Sequence, residues 1–172
     1  MANNKIVVMG IEELNRAASQ PTKEVSKVRC IINVSDQPFH AFHQNIKIGE
    51  REVPYFWFPL IENAPFGFNS IGGAFKVYRE FIGTGDVLIH CHAGINRSAT
   101  VALLFKQVDH RGDVKAALKE IDTYSDPVNR KTANEENGLL SNAMVPFLYE
   151  LIDSPTLGCA YKNAGINAEP WK

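Results

Sequence analysis

Three short runs along the chain are dominated by apolar, mostly β-branched residues: KIVVM at 5–9, VRCIINV at 28–34 and VLI at 87–89, the last closed by His90. Runs of this length without alternation read as strands covered on both faces. Between them the period changes. IEELNRAASQ, after Gly10, has helical character and ends at Pro21. Apolar positions at 71, 74, 75, 77, 78, 81 and 82 predict a helix over 69–82, stopped by Gly83 and Gly85. Another helix should open near Arg97 and run through VALLFKQVDH to Gly112. Asp113 can cap the next one, VKAALKEIDTY, with Pro127 beyond its end. A last helix is predicted over about 137–152, where Pro146 marks a kink or break.

Residues 36–51 are polar and aperiodic and read as loop. VPYFWFPL at 53–60 is β-prone, with its strand confined between Pro54 and Pro59. Strands alternating with helices predict an α/β fold: one domain with a central, mostly parallel sheet of about four to five strands and helices on both faces. That domain is expected to span 1–153, followed by an extended polar tail over 154–172.

Composition narrows the class. A chain of 172 residues, 45% hydrophobic and 22% charged, is of ordinary globular kind. Its formal net charge of −1 offers nothing to a nucleic acid or a membrane surface. The apolar run before Gly10 is too short for a secretion signal or a membrane span, and no other stretch reaches spanning length. Cys30, Cys91 and Cys159 are far apart and form no CxxC pair, which argues against a disulfide framework or zinc site and for a reducing cytoplasm. His40, His43 and His110 lack metal-ligand spacing, so neither a metal nor a cofactor is expected.

One segment carries chemistry. HCHAGINRS, residues 90–98, joins a buried strand to a helix. A lone cysteine after an apolar strand is usually core packing. Here it stands with a glycine three residues on, an arginine six on and a serine seven on. A tight turn into a helix N-terminus gathers backbone amides around an oxyanion, and the helix dipole favours the charge. Gly94 permits the turn, and the planar Arg97 guanidinium can meet two phosphate oxygens at once. The same positive surroundings favour a Cys91 thiolate, in line with the phosphorus of a bound monoester. Ser98 is placed to hydrogen-bond the sulfur, and His90 to orient the loop rather than act as base. Cys30, inside an apolar run, reads as structural.

HCHAGINRS resembles the H-C-x-x-G-x-x-R-S/T signature of cysteine-dependent phosphatases, in particular the dual-specificity group. VRCIINVSD resembles that family's core strand before the active site, FPLIENAPF the segment bearing its general acid, and NEENGLLSNAMVPFLYEL its closing helix. The similarity covers about residues 5–152. It implies a protein tyrosine phosphatase-like fold and hydrolysis of phosphate monoesters through a cysteinyl-phosphate intermediate. By the same resemblance Cys91 is the nucleophile. The loop from His92 through Ala93, Gly94, Ile95 and Asn96 to Arg97 cradles the phosphate, and Ser98 assists sulfur departure.

The resemblance also implies an aspartate about thirty residues before the cysteine, as general acid. FPLIENAPF has none. Glu62 or Asn63 stands there instead. Three outcomes are open: Glu62 is the acid, Asp36 reaches over the loop, or the acid is absent, leaving a slow enzyme, one suited to good leaving groups, or a protein that binds phosphate without turning it over. No lysine or second arginine lies inside the loop, which favours phosphotyrosine or phosphoserine/threonine in a protein partner over more highly charged substrates. Tyr55 to Phe58 read as a core strand or as an aromatic wall beside the site. A sulfur-transfer or arsenate-reducing enzyme fits poorly, because the loop is mid-chain and Cys30 and Cys159 are remote from it.

Overall fold

The structure is a computed structural model that describes residues 4–39, 44–61, 68–94, 97–111 and 113–124. The expected helix at 137–152 and the tail at 154–172 lie outside these residues. The order is β1 (Ile6–Met9), α1 (Ile11–Ser19), β2 (Val28–Asn33), β3 (Asn45–Ile48), β4 (Arg51–Trp57), α2 (Phe68–Phe81), β5 (Asp86–His90), α3 (Arg97–Asp109), α4 (Val114–Leu118) and β6 (Ile121–Tyr124). The six strands form one sheet in the order β3-β4-β2-β5-β1-β6. Every pairing is parallel except β3 with β4.

The alternation of side chains across the central strands divides the core in two. Ile6, Val8, Ile32 and Ile89 face Ile71, Phe75 and Tyr78 of α2 and Val101, Leu104 and Phe105 of α3. Val7, Met9, Ile31 and Leu88 face Ile11, Leu14 and Ala17 of α1. Helices therefore cover both faces, and the central strands are apolar throughout for that reason. α3 lies under so much protein that every residue from Arg97 to Val108 is buried. Even Lys106 is 2% exposed, its Nζ donating to the Asn4 carbonyl at 3.0 Å and to Glu120 at 2.8 Å. Phe105 meets Phe75 edge-on, with centroids 4.9 Å apart, and Tyr78 at 5.1 Å. Phe105→Ala is expected to destabilise the fold by about 3–5 kcal/mol, read as a lower urea midpoint at unchanged slope.

Two strands depart from the sequence expectation. β3 arises inside the polar stretch 36–51, because Gly49, at φ 61, turns the chain back so that Ile48 pairs with Arg51. β4 accordingly begins before Pro54. The missing N–H is tolerated because β2 joins β4 only from Tyr55 onward, leaving Pro54 beside the short edge strand alone. β6 replaces the second half of an expected helix. Asp113 does cap α4, its Oδ1 accepting from Ala116 N–H at 3.0 Å, but the helix stops at Leu118. Ile121 and Thr123 are then buried along the open edge of β1, and that burial outweighs the helical propensity of VKAALKE.

Candidate active site

β5 delivers its C-terminal residue, His90, opposite Asn33 of β2, and Cys91 follows at once. His92 to Gly94 bend away from the end of β5, and α3 begins at Arg97. The turn is tight because two backbones lie against each other. Gly94 sits at φ 71, and a Cβ there would run into the backbone of Met9 and Gly10. Ile11 N–H, at the start of α1, donates to the His92 carbonyl at 2.9 Å. The β1–α1 turn thus buttresses the loop from behind, while His92 and Ala93 remain exposed at its mouth.

Cys91 is 2% exposed. Its Sγ accepts from Gly94 N–H at 3.3 Å and lies 3.2 Å from Ser98 Oγ, so two polar groups converge on the sulfur from opposite ends of the loop. His90 is fully buried, with Nδ1 3.2 Å from the Cys91 carbonyl and Nε2 3.2 Å from Tyr55 Oη. A carbonyl only accepts, which places the ring proton on Nδ1 and makes Nε2 the acceptor for the tyrosine. Burial pushes the Tyr55 hydroxyl up to about 12, with a bond to Asn33 acting the other way, so it stays protonated and able to donate. His90 in this arrangement ties the loop to β4.

Arg97 is buried, and its Nη1 donates to Asp36 Oδ1 at 2.8 Å and to the Leu60 carbonyl at 3.1 Å. The Arg97 bond, aided by a backbone bond and by the charges of Arg97 and His92, holds the half-exposed Asp36 carboxyl below its ordinary range despite slight burial. A carboxyl held this way favours the ionised form and is a poor proton donor. Its segment is fixed by the fully buried Asn33, whose Oδ1 accepts from Ser35 N–H at 2.8 Å and whose Nδ2 donates to the Gln37 carbonyl at 2.7 Å. Trp57 Nε1 donates to the Ser35 carbonyl at 2.9 Å.

The structure brings together Cys91, Gly94, Arg97, Ser98, His90 and Asp36. Glu62, Asn63, Ile95 and Asn96 lie outside the described residues, as do His40, His43 and Cys159. Cys30 is buried in the sheet core, and burial with the charge of Glu80 pushes its thiol up to about 12, which makes it inert. Tyr55 is buried in β4, and Phe56 and Phe58 are partly buried and pack against the core beneath α2. Among the described residues no group of three His, Cys, Asp or Glu side chains converges as a metal site, and no helix is long and apolar enough to cross a membrane. Sequence reasoning missed the Leu60 carbonyl and the Gly10–Ile11 turn, since backbone groups leave no mark in residue identity. Asn33 did leave one: it is a polar residue at the end of a buried strand, where an unpaired amide would be costly.

No protein-family model matches the chain, and neither does any curated protein sequence. Solved structures do match. Tk-PTP, in a mutant form, shares 17% identity over 88% of this chain and 94% of its own, with a TM-score of 0.50. Human DUSP28 shares 16% identity over 93% of each chain, with a TM-score of 0.48. The likeness to Tk-PTP is one of fold: a mixed α/β domain around a mostly parallel sheet.

Proposed function

We propose that the chain is a phosphatase that hydrolyses phosphate monoesters through a cysteinyl-phosphate intermediate. The observation that carries this is the convergence of Gly94 N–H and Ser98 Oγ on the buried Cys91 sulfur, in the same short loop that begins α3 with Arg97. The Cys91 thiolate attacks phosphorus, an S–P bond forms, and the bond to the leaving oxygen breaks as that oxygen takes a proton. Arg97 and the amides of residues 92–97 hold the other phosphate oxygens, whose charge is greatest as the bonds change. Water then attacks phosphorus and gives up a proton, and the S–P bond breaks with Ser98 donating to the departing sulfur.

Glu62 is the residue proposed to give and then take that proton. Its place in FPLIENAPF matches the acid segment of the family the chain resembles, and the competing carboxylate, Asp36, is held ionised by Arg97. The proposed substrate is phosphotyrosine and/or phosphoserine/threonine in a protein, met in the cytoplasm by a catalytic domain over 1–153. The fold of the tyrosine and dual-specificity phosphatases supports the general activity.

A second reading, a phosphate-binding protein without turnover, draws on one observation: the acid segment has no aspartate. An aryl phosphate separates the two. Steady release over many turnovers supports the enzyme, whereas a single stoichiometric burst supports the binder. In an enzyme that uses Glu62, Glu62→Gln lowers kcat by about 10²-fold and removes the basic limb of the pH–rate profile. A fall of less than about threefold at every pH takes Glu62 out of the mechanism.

A further inference from the structure

Four rings stand in line from the sheet core to the mouth of the loop. Tyr55 and His90, both buried, have centroids 5.8 Å apart. His90 lies 6.1 Å from Phe39, and Phe39 lies 5.8 Å from His92. Each step is within the range over which aromatic rings attract. Phe39 is half-buried and packs against the core on the α1 side of the sheet, which fixes the column from below. The last ring differs from the others. His92 is exposed and directly follows Cys91, and among the described residues its imidazole makes no hydrogen bond and has Phe39 as its one ring partner. A second apolar feature stands at the same end of the sheet. Ile61 is 64% exposed, the single large apolar side chain left in water among the described residues. It follows Leu60, whose carbonyl meets Arg97 at 3.1 Å. Either feature alone is ordinary for a protein surface, but together they put apolar faces beside the loop mouth.

We propose that the outer face of His92, backed by Phe39, is a stacking surface for the ring of an aryl phosphate, which makes phosphotyrosine preferred over phosphoserine and phosphothreonine. The inference rests on the phosphatase reading and goes beyond it by choosing between leaving groups. A monoester seated on the loop leads its leaving group out at the mouth, where His92 is exposed. A phenyl ring there meets a flat π face, whereas the short aliphatic chain of serine or threonine has no face to offer. Phe39 gives the imidazole its support. A ring already held from behind loses less freedom when a ligand stacks on it, so more of the contact appears as affinity. One aromatic pair of this kind is worth about two- to tenfold in binding.

The test uses the whole chain and two inhibitors that are not hydrolysed, phenylphosphonate and methylphosphonate, which differ in the ring alone. Tungstate, a phosphate-shaped oxyanion, reports on the loop without any ring. Wild type is expected to bind phenylphosphonate about tenfold more tightly than methylphosphonate. His92→Ala should cut that preference about fivefold, and Phe39→Leu, which keeps apolar bulk without a ring, about threefold. His92→Phe restores a flat face and should hold the preference within about twofold of wild type. The ratio of kcat/KM for a phosphotyrosine peptide over a phosphothreonine peptide of the same sequence should follow the same order. Both readouts are ratios, so general damage to the loop cancels. A preference unchanged in His92→Ala, or lost equally in His92→Phe, overturns the proposal. Wild-type protein that releases phosphate from aryl phosphates yet binds both phosphonates alike overturns it and leaves the phosphatase reading in place. Wild-type protein that neither binds tungstate nor releases phosphate overturns that reading, and the inference with it.

Discussion

Cys91→Ser protein is expected to bind tungstate with near-normal affinity while its hydrolysis of aryl phosphates falls by about 10⁴-fold or more. The substitution changes one atom in a site where Gly94 N–H and Ser98 Oγ already converge at 3.3 and 3.2 Å. Serine fits that space, and the phosphate cradle proposed for Arg97 and the loop amides does not depend on sulfur. Nucleophilicity does. A thiol gives up its proton far more readily than an alcohol, and among the described residues no base meets the Cys91 sulfur to take a proton from serine: Gly94 N–H is a donor, Ser98 Oγ is itself an alcohol, and His90 is engaged by Tyr55 and the Cys91 carbonyl. Rapid-quench measurements on wild type should show phosphate attached to protein during turnover, and none in the variant. Sustained turnover by Cys91→Ser would remove the covalent mechanism altogether.

Gly94→Ala tests the same loop from its backbone. At φ 71 an alanine is strained by about 1–2 kcal/mol wherever it sits. At this position the new methyl also meets the backbone of Met9 and Gly10, which are held by sheet pairing and by the first turn of α1 and cannot move aside as a side chain would. The loop has to give way instead. Gly94 N–H is then carried off the sulfur, and the spacing between Cys91 and Arg97 changes. A displacement of about 1 Å in such a site costs on the order of 10²-fold in rate. The expected result is a fall of that size in kcat/KM, weaker tungstate binding and a lower thermal midpoint. Gly83→Ala is the control: a Cβ there meets nothing within 4 Å, and the change should stay within about 0.5 kcal/mol of wild type. Equal behaviour of the two variants would mean that the β1–α1 turn does not shape the site.

Parts of this protein are legible one segment at a time. IVVM, VRCIIN and DVLIH announce themselves as strands because each is buried on both sides, and burial of that kind leaves few polar residues. The spacing of Ile71, Phe75 and Tyr78 announces α2 because one helical face covers the sheet. VKAALKEIDTY shows the limit. Its first half obeys local propensity and its cap, whereas Ile121 to Tyr124 answer to the exposed edge of β1, a partner more than a hundred residues away. β3 is similar: nothing within NIKI requires a strand until Gly49 folds β4 beside it.

The loop divides along the same line. HCHAGINRS could be placed at a strand end and a helix start because those elements are contiguous, so the residue types the proposed cradle needs stand in order along the chain. The grip on Arg97 could not. Asp36 and Leu60 are 61 and 37 residues from it, and the Leu60 contact is a carbonyl that any residue would supply. Sequence by itself determined which chemistry is proposed for the loop, since residue type and order along the chain are enough to suggest it. Only the tertiary structure showed that Asp36 meets the arginine, because the pairing of β2 with β4 and β5 brings those distant segments to one end of the sheet.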